Sequence, residues 1–265
     1  MNQTFQTKES LDLSVSVPAG SLDITAVPDA TETTVEVERL DRAIDPAEVE
    51  CRLNHDGTSL EVKVGRKRFR EGRYRVVITT REGANLDIAT GAADVRAEGS
   101  FGSCKYRSGS GDLQIDELRG SASMKTGSGD VRLANALRDL DIDVASGSVR
   151  VGTAHRRASI HVVSGSVDVD VAGADLTGRT VSGDVRIGQV SHGAVRLNSV
   201  SGDLDVGILV GSRSFLDLSS VSGQTRSDLD VSSSPQAESA PDLEIRAKTV
   251  SGDITIRRAA AEDAA

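Results

Sequence analysis

The chain has 265 residues, of which 37% are hydrophobic and 2% aromatic, with no Trp and a formal net charge of −9. A core drawn from Val, Ile, Leu and Ala is thin and layered, since the aromatics that usually supply large buried areas are missing. The acidic balance argues against nucleic acid or an anionic membrane as partner, and no run approaches the roughly 20 apolar residues of a membrane span.

The N-terminal stretch MNQTFQTKESLDLSVSV has no basic segment followed by an apolar one. No signal peptide is read, a cytoplasmic location is expected, and a surface location would need unconventional export. Residues 1–85 are irregular but strand-like (LDLSVSV, SLDITAV, TTVEVERL, SLEVKV, YRVVITT) and are read as the start of the sheet and an N-terminal β cap. Within them DPAEVECRL suits a short helical turn, Asp45 and Pro46 forming its start. The segment GRKRFREGRYR, residues 65–75, is expected to be a loop. Cys51 and Cys104, the two cysteines, form no CxxC pair, against both a disulfide framework and a thiolate metal site.

From residue 86 to 256 the chain repeats. The residue after each corner, which is Ala93 in the first coil and glycine in the others, falls at Asp94, Asp112, Asp130, Ser148, Ser166, Asp184, Asp203, Gln224 and Asp253, at spacings of 18 five times, then 19, 21 and 29. A fixed period of this kind is a solenoid signature. Directly after this marker comes an apolar column that includes Val131, Val149, Val167, Val185, Leu204 and Ile254. Two residues on lies another, Leu133, Val151, Val169, Ile187, Val206 and Ile256, with a polar column between. Such alternation describes a half-buried strand. A second strand precedes each corner, with Ile142, Ile160, Leu197 and others inward and a break at Gly178. Its inward parity is expected to run through a serine column (Ser128, Ser146, Ser164, Ser182, Ser201) and to shift by one at the glycine, which takes the positive φ of the corner. Stacked coils bring like residues about 4.8 Å apart, so each coil covers an apolar face that it cannot bury alone. The fold class is therefore all-β: a parallel β-solenoid, or β-helix, of coils of about 18 residues with an irregular β cap. Residues 227–242 form a loop insertion and 257–265 a disordered tail, all within one continuous domain.

The chemistry-bearing residues are sparse. The corner aspartates lack the GGxGxDx context of calcium-binding repeats, so turn capping is expected and calcium is not. His55, His155, His161 and His192 are scattered, and no Walker, Rossmann or GxSxG pattern is present. No catalytic, cofactor-binding or metal residue is assigned, and no enzyme is expected. Two surfaces remain. Val163, Val181, Val200, Val221 and Val250, each two residues before a corner glycine, make an apolar stripe if they point outward, a candidate contact for a protein partner or for self-association. Arg66, Lys67, Arg68, Arg70, Arg73 and Arg75, with Phe69 and Tyr74 between, are a candidate contact for a glycan or another anionic surface.

The text ANLDIATGAADVRAEGSFG, SGSGDLQI, TGSGDVRL, VSGDVRI and VSGDITI, together with VPAGSLDITAV near the N-terminus, resembles a bacterial β-strand-repeat family of unknown function labelled as candidate adhesins or auto-transporter adhesins. The resemblance covers most of the chain, best over 86–256. It implies a parallel β-solenoid and, by label, adhesion; it brings no catalytic residues.

Overall fold

The computed structural model of the chain describes residues 1–65, 72–209, 212–229 and 242–259. These residues are all-β apart from one turn of 3₁₀ helix at Pro46–Glu48, and the repeating body is a parallel β-solenoid. The Asp45 side chain accepts the Ala47 N–H at 2.9 Å and caps that turn, as its position before a proline suggests. Two compact units are present, Met1–Asp139 and Leu140–Ala265.

In the first unit the strands are β1 (Asn2–Gln6), β2 (Asp12–Val27), β3 (Glu32–Arg39), β4 (Val49–Leu53), β5 (Ser59–Val64), β6 (Tyr74–Arg81), β7 (Asn85–Phe101), β8 (Cys104–Ser110), β9 (Leu113–Leu118), β10 (Ala122–Ser128) and β11 (Val131–Ala136). Leu22, Val95, Leu113 and Val131 stand in parallel register and are all buried. On its other side β2 pairs in parallel with β5 and β6, Leu13 opposite Leu60 and Leu22 opposite Val76. The first coil of the chain is therefore sandwiched between two later ones. Antiparallel pairs β1–β3, β3–β6 and β4–β5 extend the sheet on this side, beyond β5 and β6. Tyr74 and Arg75, where the expected loop 65–75 overlaps the strand-like YRVVITT, belong to β6.

The second unit holds β12 (Leu140–Ser146), β13 (Val149–Ala154), β14 (Ala158–Ser164), β15 (Val167–Ala172), β16 (Leu176–Ser182), β17 (Val185–Val190), β18 (Gly193–Ser201), β19 (Leu204–Leu209), β20 (Ser214–Ser222), β21 (Thr225–Ser227), β22 (Leu243–Ser251) and β23 (Ile254–Ala259). Val149, Val167, Val185 and Leu204 stack in register. The next partner of Leu204 is Ile254, and Thr225 lies beyond Ile254. The last coil of the chain thus slots between two earlier ones, leaving β20 and β21 outermost among the described residues. Composition explains the exchange. Thr225 and Ser227 occupy positions that other coils fill with Val, Ile, Leu or Ala, and both are exposed. Buried mid-stack, each hydroxyl would cost about 1–3 kcal/mol unless bonded; Ile254 and Ile256 take that place without cost. The strand continues through Arg257 and Arg258 to Ala259, so the ordered chain runs past the expected start of the tail at 257.

The corners repeat one backbone device. Gly165, Gly183, Gly202 and Gly252 have φ of +138°, +139°, +144° and +145°. A Cβ on Gly183 would lie 2.1 Å from the Gly165 carbonyl oxygen, so both the dihedral and the close stacking require glycine. The Gly165, Gly183 and Gly202 N–H groups donate to the Ser182, Ser201 and Ser251 carbonyls, each at 2.9 Å. The serine side chains do not continue the inward parity: Ser128, Ser146, Ser164, Ser182 and Ser201 are exposed. Inward alternation ends two residues earlier, at Thr126, Val144, Val162, Thr180 and Ser199, and the two residues that follow each of them are both exposed, so the corner begins before its positive-φ glycine is reached. The break at Gly178 is packed, since a Cβ there would meet Leu197 Cδ2 at 2.9 Å.

Candidate interaction surface

The corner fixes what lies outward beside it. Val163, Val181, Val200 and Val250 are 55%, 51%, 50% and 50% exposed, and Val221 is 79% exposed. Their neighbours pair Val162 with Thr180, Thr180 with Ser199, Ser199 with Thr249 and Ser220 with Thr249. The spatial order is therefore Val163, Val181, Val200, Val250, Val221. The coil exchange leaves the stripe unbroken, and five coils about 4.8 Å apart make it roughly 20 Å long. The corner does not itself demand valine. In the first unit the same column is Gly91, Gly109 and Gly127, where a Cβ would lie 2.5–2.8 Å from the carbonyl oxygen of the adjacent strand. One unit closes this column with backbone; the other clothes it in apolar side chains.

Charge borders the stripe. Two residues before the valine, on the same strand face, the column reads His161, Arg179, Asn198, Lys248 and Ser219; three residues after it, beyond the corner, it reads Ser166, Asp184, Asp203, Asp253 and Gln224. The aspartates form a ladder. Asp184, Asp203 and Asp253 each accept, through Oδ1, the backbone N–H of the next marker residue in space, at 2.9, 2.8 and 2.8 Å. Asp94 and Asp112 do the same in the first unit, at 3.0 and 2.9 Å. These carboxylates cap corner backbone groups, and among the described residues no group of three or more His, Cys, Asp or Glu side chains could hold a metal.

The basic candidate surface divides. Arg66, Lys67, Arg68 and Arg70 lie outside the described residues. Arg73 and Arg75 are exposed; Arg75 Nε is 4.0 Å from Asp23 Oδ2 and shares a shallow depression with Glu36 and Glu38. At the root of this segment lies a buried polar cluster that the sequence did not advertise. Glu48, fully buried, accepts hydrogen bonds from Arg39 Nη1 (2.6 Å), Tyr74 Oη (2.6 Å) and Arg42 Nη2 (2.7 Å). The Arg39 guanidinium stands 5.5 Å from the Tyr74 ring centroid and bonds Asp41 at 2.6 Å. Burial alone would raise the Glu48 carboxyl, but the Tyr74 and Arg39 hydrogen bonds and the two arginine charges outweigh it and hold it below the usual range. Burial and the bond to Glu48 push the Tyr74 hydroxyl up to about 12. Every charged group in the cluster is matched, so it clamps β3, the 3₁₀ turn and β6 together and presents no reactive atom. Glu48 could have been suspected from its place just inside the capped turn; no pattern announces Arg39.

Other polar features are modest. An open groove of about 670 Å³ in the second unit is lined by Arg150, Asp168, Asp170, Arg186, Gln189 and Arg257, among others; two of its arginines are paired, Arg150 with Asp168 at 3.4 Å and Arg257 with Asp205 at 3.0 Å. His161 Nδ1 is 3.3 Å from Asp143 on an open face. Cys104 is buried and its thiol is pushed up to about 12 by that burial, so it is no nucleophile. Among the described residues no helix is long and apolar enough to cross a membrane.

A model of the family described as Toastrack DUF4097 matches residues 6–172 and, in an overlapping second fit, 56–257. No curated protein sequence matches the chain. Among solved structures, one described as a candidate adhesin from Bacteroides fragilis is similar at 13% identity and a TM-score of 0.44, covering 97% of this chain and 96% of that one. A candidate cell adhesion protein from Clostridium sporogenes aligns at 12% identity and a TM-score of 0.23, over 97% and 99% of the two chains. A candidate adhesin from Parabacteroides distasonis aligns at 12% identity and a TM-score of 0.32, over 96% of each chain.

Proposed function

The chain belongs to the Toastrack DUF4097 family, and from that premise we propose that it is a non-enzymatic, adhesin-like interaction protein whose contact surface is the valine stripe of its second unit. One observation carries the reading: five valines, half or more exposed, are aligned over five successive coils at a position where the first unit manages with glycine. Contiguous apolar surface rimmed by charge is the usual mark of a contact site, and β-branched side chains fixed on a sheet lose little rotamer freedom when covered. Capture from native-host extract by the immobilised chain tests it. Val181→Lys with Val250→Lys is expected to weaken capture by about tenfold or more at an unchanged melting temperature.

The second reading is contact with a glycan or anionic surface through Arg66, Lys67, Arg68, Arg70, Arg73 and Arg75. The neighbouring Asp23, Glu36 and Glu38 offset the charge of Arg75, which favours the stripe. Loss of capture on reversing those six charges, with the valine variants still binding, would reverse the ranking.

A further inference from the structure

Building on that reading of the stripe, we propose that its occupant is a second copy of this chain, packed stripe against stripe about a twofold axis that runs along the stripe. The arrangement of charge on the three central coils points to this partner. The Val181 coil carries Arg179 before the valine and Asp184 after the corner; the Val250 coil carries Lys248 and Asp253; between them Asn198 and Asp203 flank Val200. Arg179, Lys248, Asp184, Asp203 and Asp253 are all exposed. One border of the stripe is thus cationic and polar, the other acidic, at two and three residues from the valine.

A twofold axis along the stripe exchanges the two borders. Each copy's Arg179 and Lys248 then face the other's Asp184 and Asp253, Asn198 faces Asp203, and each valine meets its own counterpart. An axis across the stripe would set cation on cation and carboxylate on carboxylate, which opposes association. The surface is therefore self-complementary in one orientation, the requirement for an isologous dimer. The acidic border is also pre-positioned, because Oδ1 of Asp184, Asp203 and Asp253 is tied into the corner ladder, so less side-chain freedom is lost on docking. A partner of another kind would need to match the same polarity by coincidence; this chain matches it by symmetry.

Sedimentation equilibrium of the full chain, with designed charge exchange, tests the proposal. The wild type is expected to dimerise reversibly. Arg179→Asp and Asp184→Arg should each weaken the dimer roughly tenfold or more, and the double variant should restore it to within about threefold, because the exchanged borders again oppose unlike charges. Asp184→Arg also removes the cap on the Asp203 N–H, so all four proteins are compared well below the lowest of their melting temperatures, and recovery of the dimer in the double variant, which still lacks the cap, separates the charge effect from folding. In a Cys51→Ser background, Val163→Cys should form a symmetric disulfide, whereas a 1:1 mixture of Val163→Cys and Val221→Cys chains should not favour the mixed one. Preferential 163–221 cross-linking, or a wild type that stays monomeric to about 100 µM, overturns the proposal. In the monomeric case the Val181→Lys, Val250→Lys capture experiment tells the two readings apart. If that variant loses capture of a host protein, the stripe remains a contact surface and the self-association falls; if capture is unchanged, both fall.

Discussion

Thr180 and Ser199 sit in adjacent coils of the inward column, and neither hydroxyl has a hydrogen-bond partner. Elsewhere the same position is either apolar, as Val144 and Val162, or bonded, as Thr126 Oγ1 donating to the Ser128 carbonyl at 3.0 Å. An unsatisfied buried hydroxyl is a net cost, so Thr180→Val should raise unfolding stability by about 1 kcal/mol, read from the denaturant midpoint at constant slope. A drop in stability would mean that the hydroxyl has a partner. The Glu48 cluster makes a second residue-scale prediction. Its folded pKa is depressed below the unfolded value of about 4.3, so its contribution is complete above that value and is lost as pH falls through the folded one. The fall in denaturant midpoint between pH 6 and acid conditions should therefore be shallower in Glu48→Gln than in wild type, although the variant is less stable at neutral pH. Parallel slopes would contradict this assignment.

Among the elements, the coil period and its apolar columns were legible because they are local alternation between fixed corners, and the register Val149–Val167–Val185 follows directly. The order of the last coils was not legible. Periodicity says which residues face inward but not which coil lies next to which, and spacings of 21 and 29 supply enough chain to pass over a neighbour. Thr225 and Ser227 in an otherwise aliphatic column were the one available clue, since polar inward positions belong at an end. The outward direction of the serine column was not legible for a related reason: parity counted along the chain does not show that the corner starts ahead of its glycine, where two successive residues face outward. Among the described residues β20 and β21 pair with β22 and β23 alone. A chain ending at Leu229 should consequently lose protection over 214–227 and be trimmed by protease to about residue 209, while the full chain resists. Equal resistance would indicate that β20 re-pairs with β18.

Considered as a whole, the molecule uses one corner device in two units and decorates it differently. The column beside the corner is glycine at 91, 109 and 127 and valine from 163 onward. The valine column was readable in the sequence; its exposure depended on where the corner begins, which required the fold. The family relationship accounts for the scaffold and the stripe for what the scaffold presents, since function resides in sites carried by a fold and not in the fold itself. The contact role of the stripe is open to direct measurement by carbene footprinting of the chain, dilute in buffer and then at high concentration or in native-host extract. The account predicts that labelling of Val163, Val181, Val200, Val221 and Val250 falls together on transfer while exposed Leu40 and Val27 are unchanged. Equal labelling of the five valines under all conditions would contradict it.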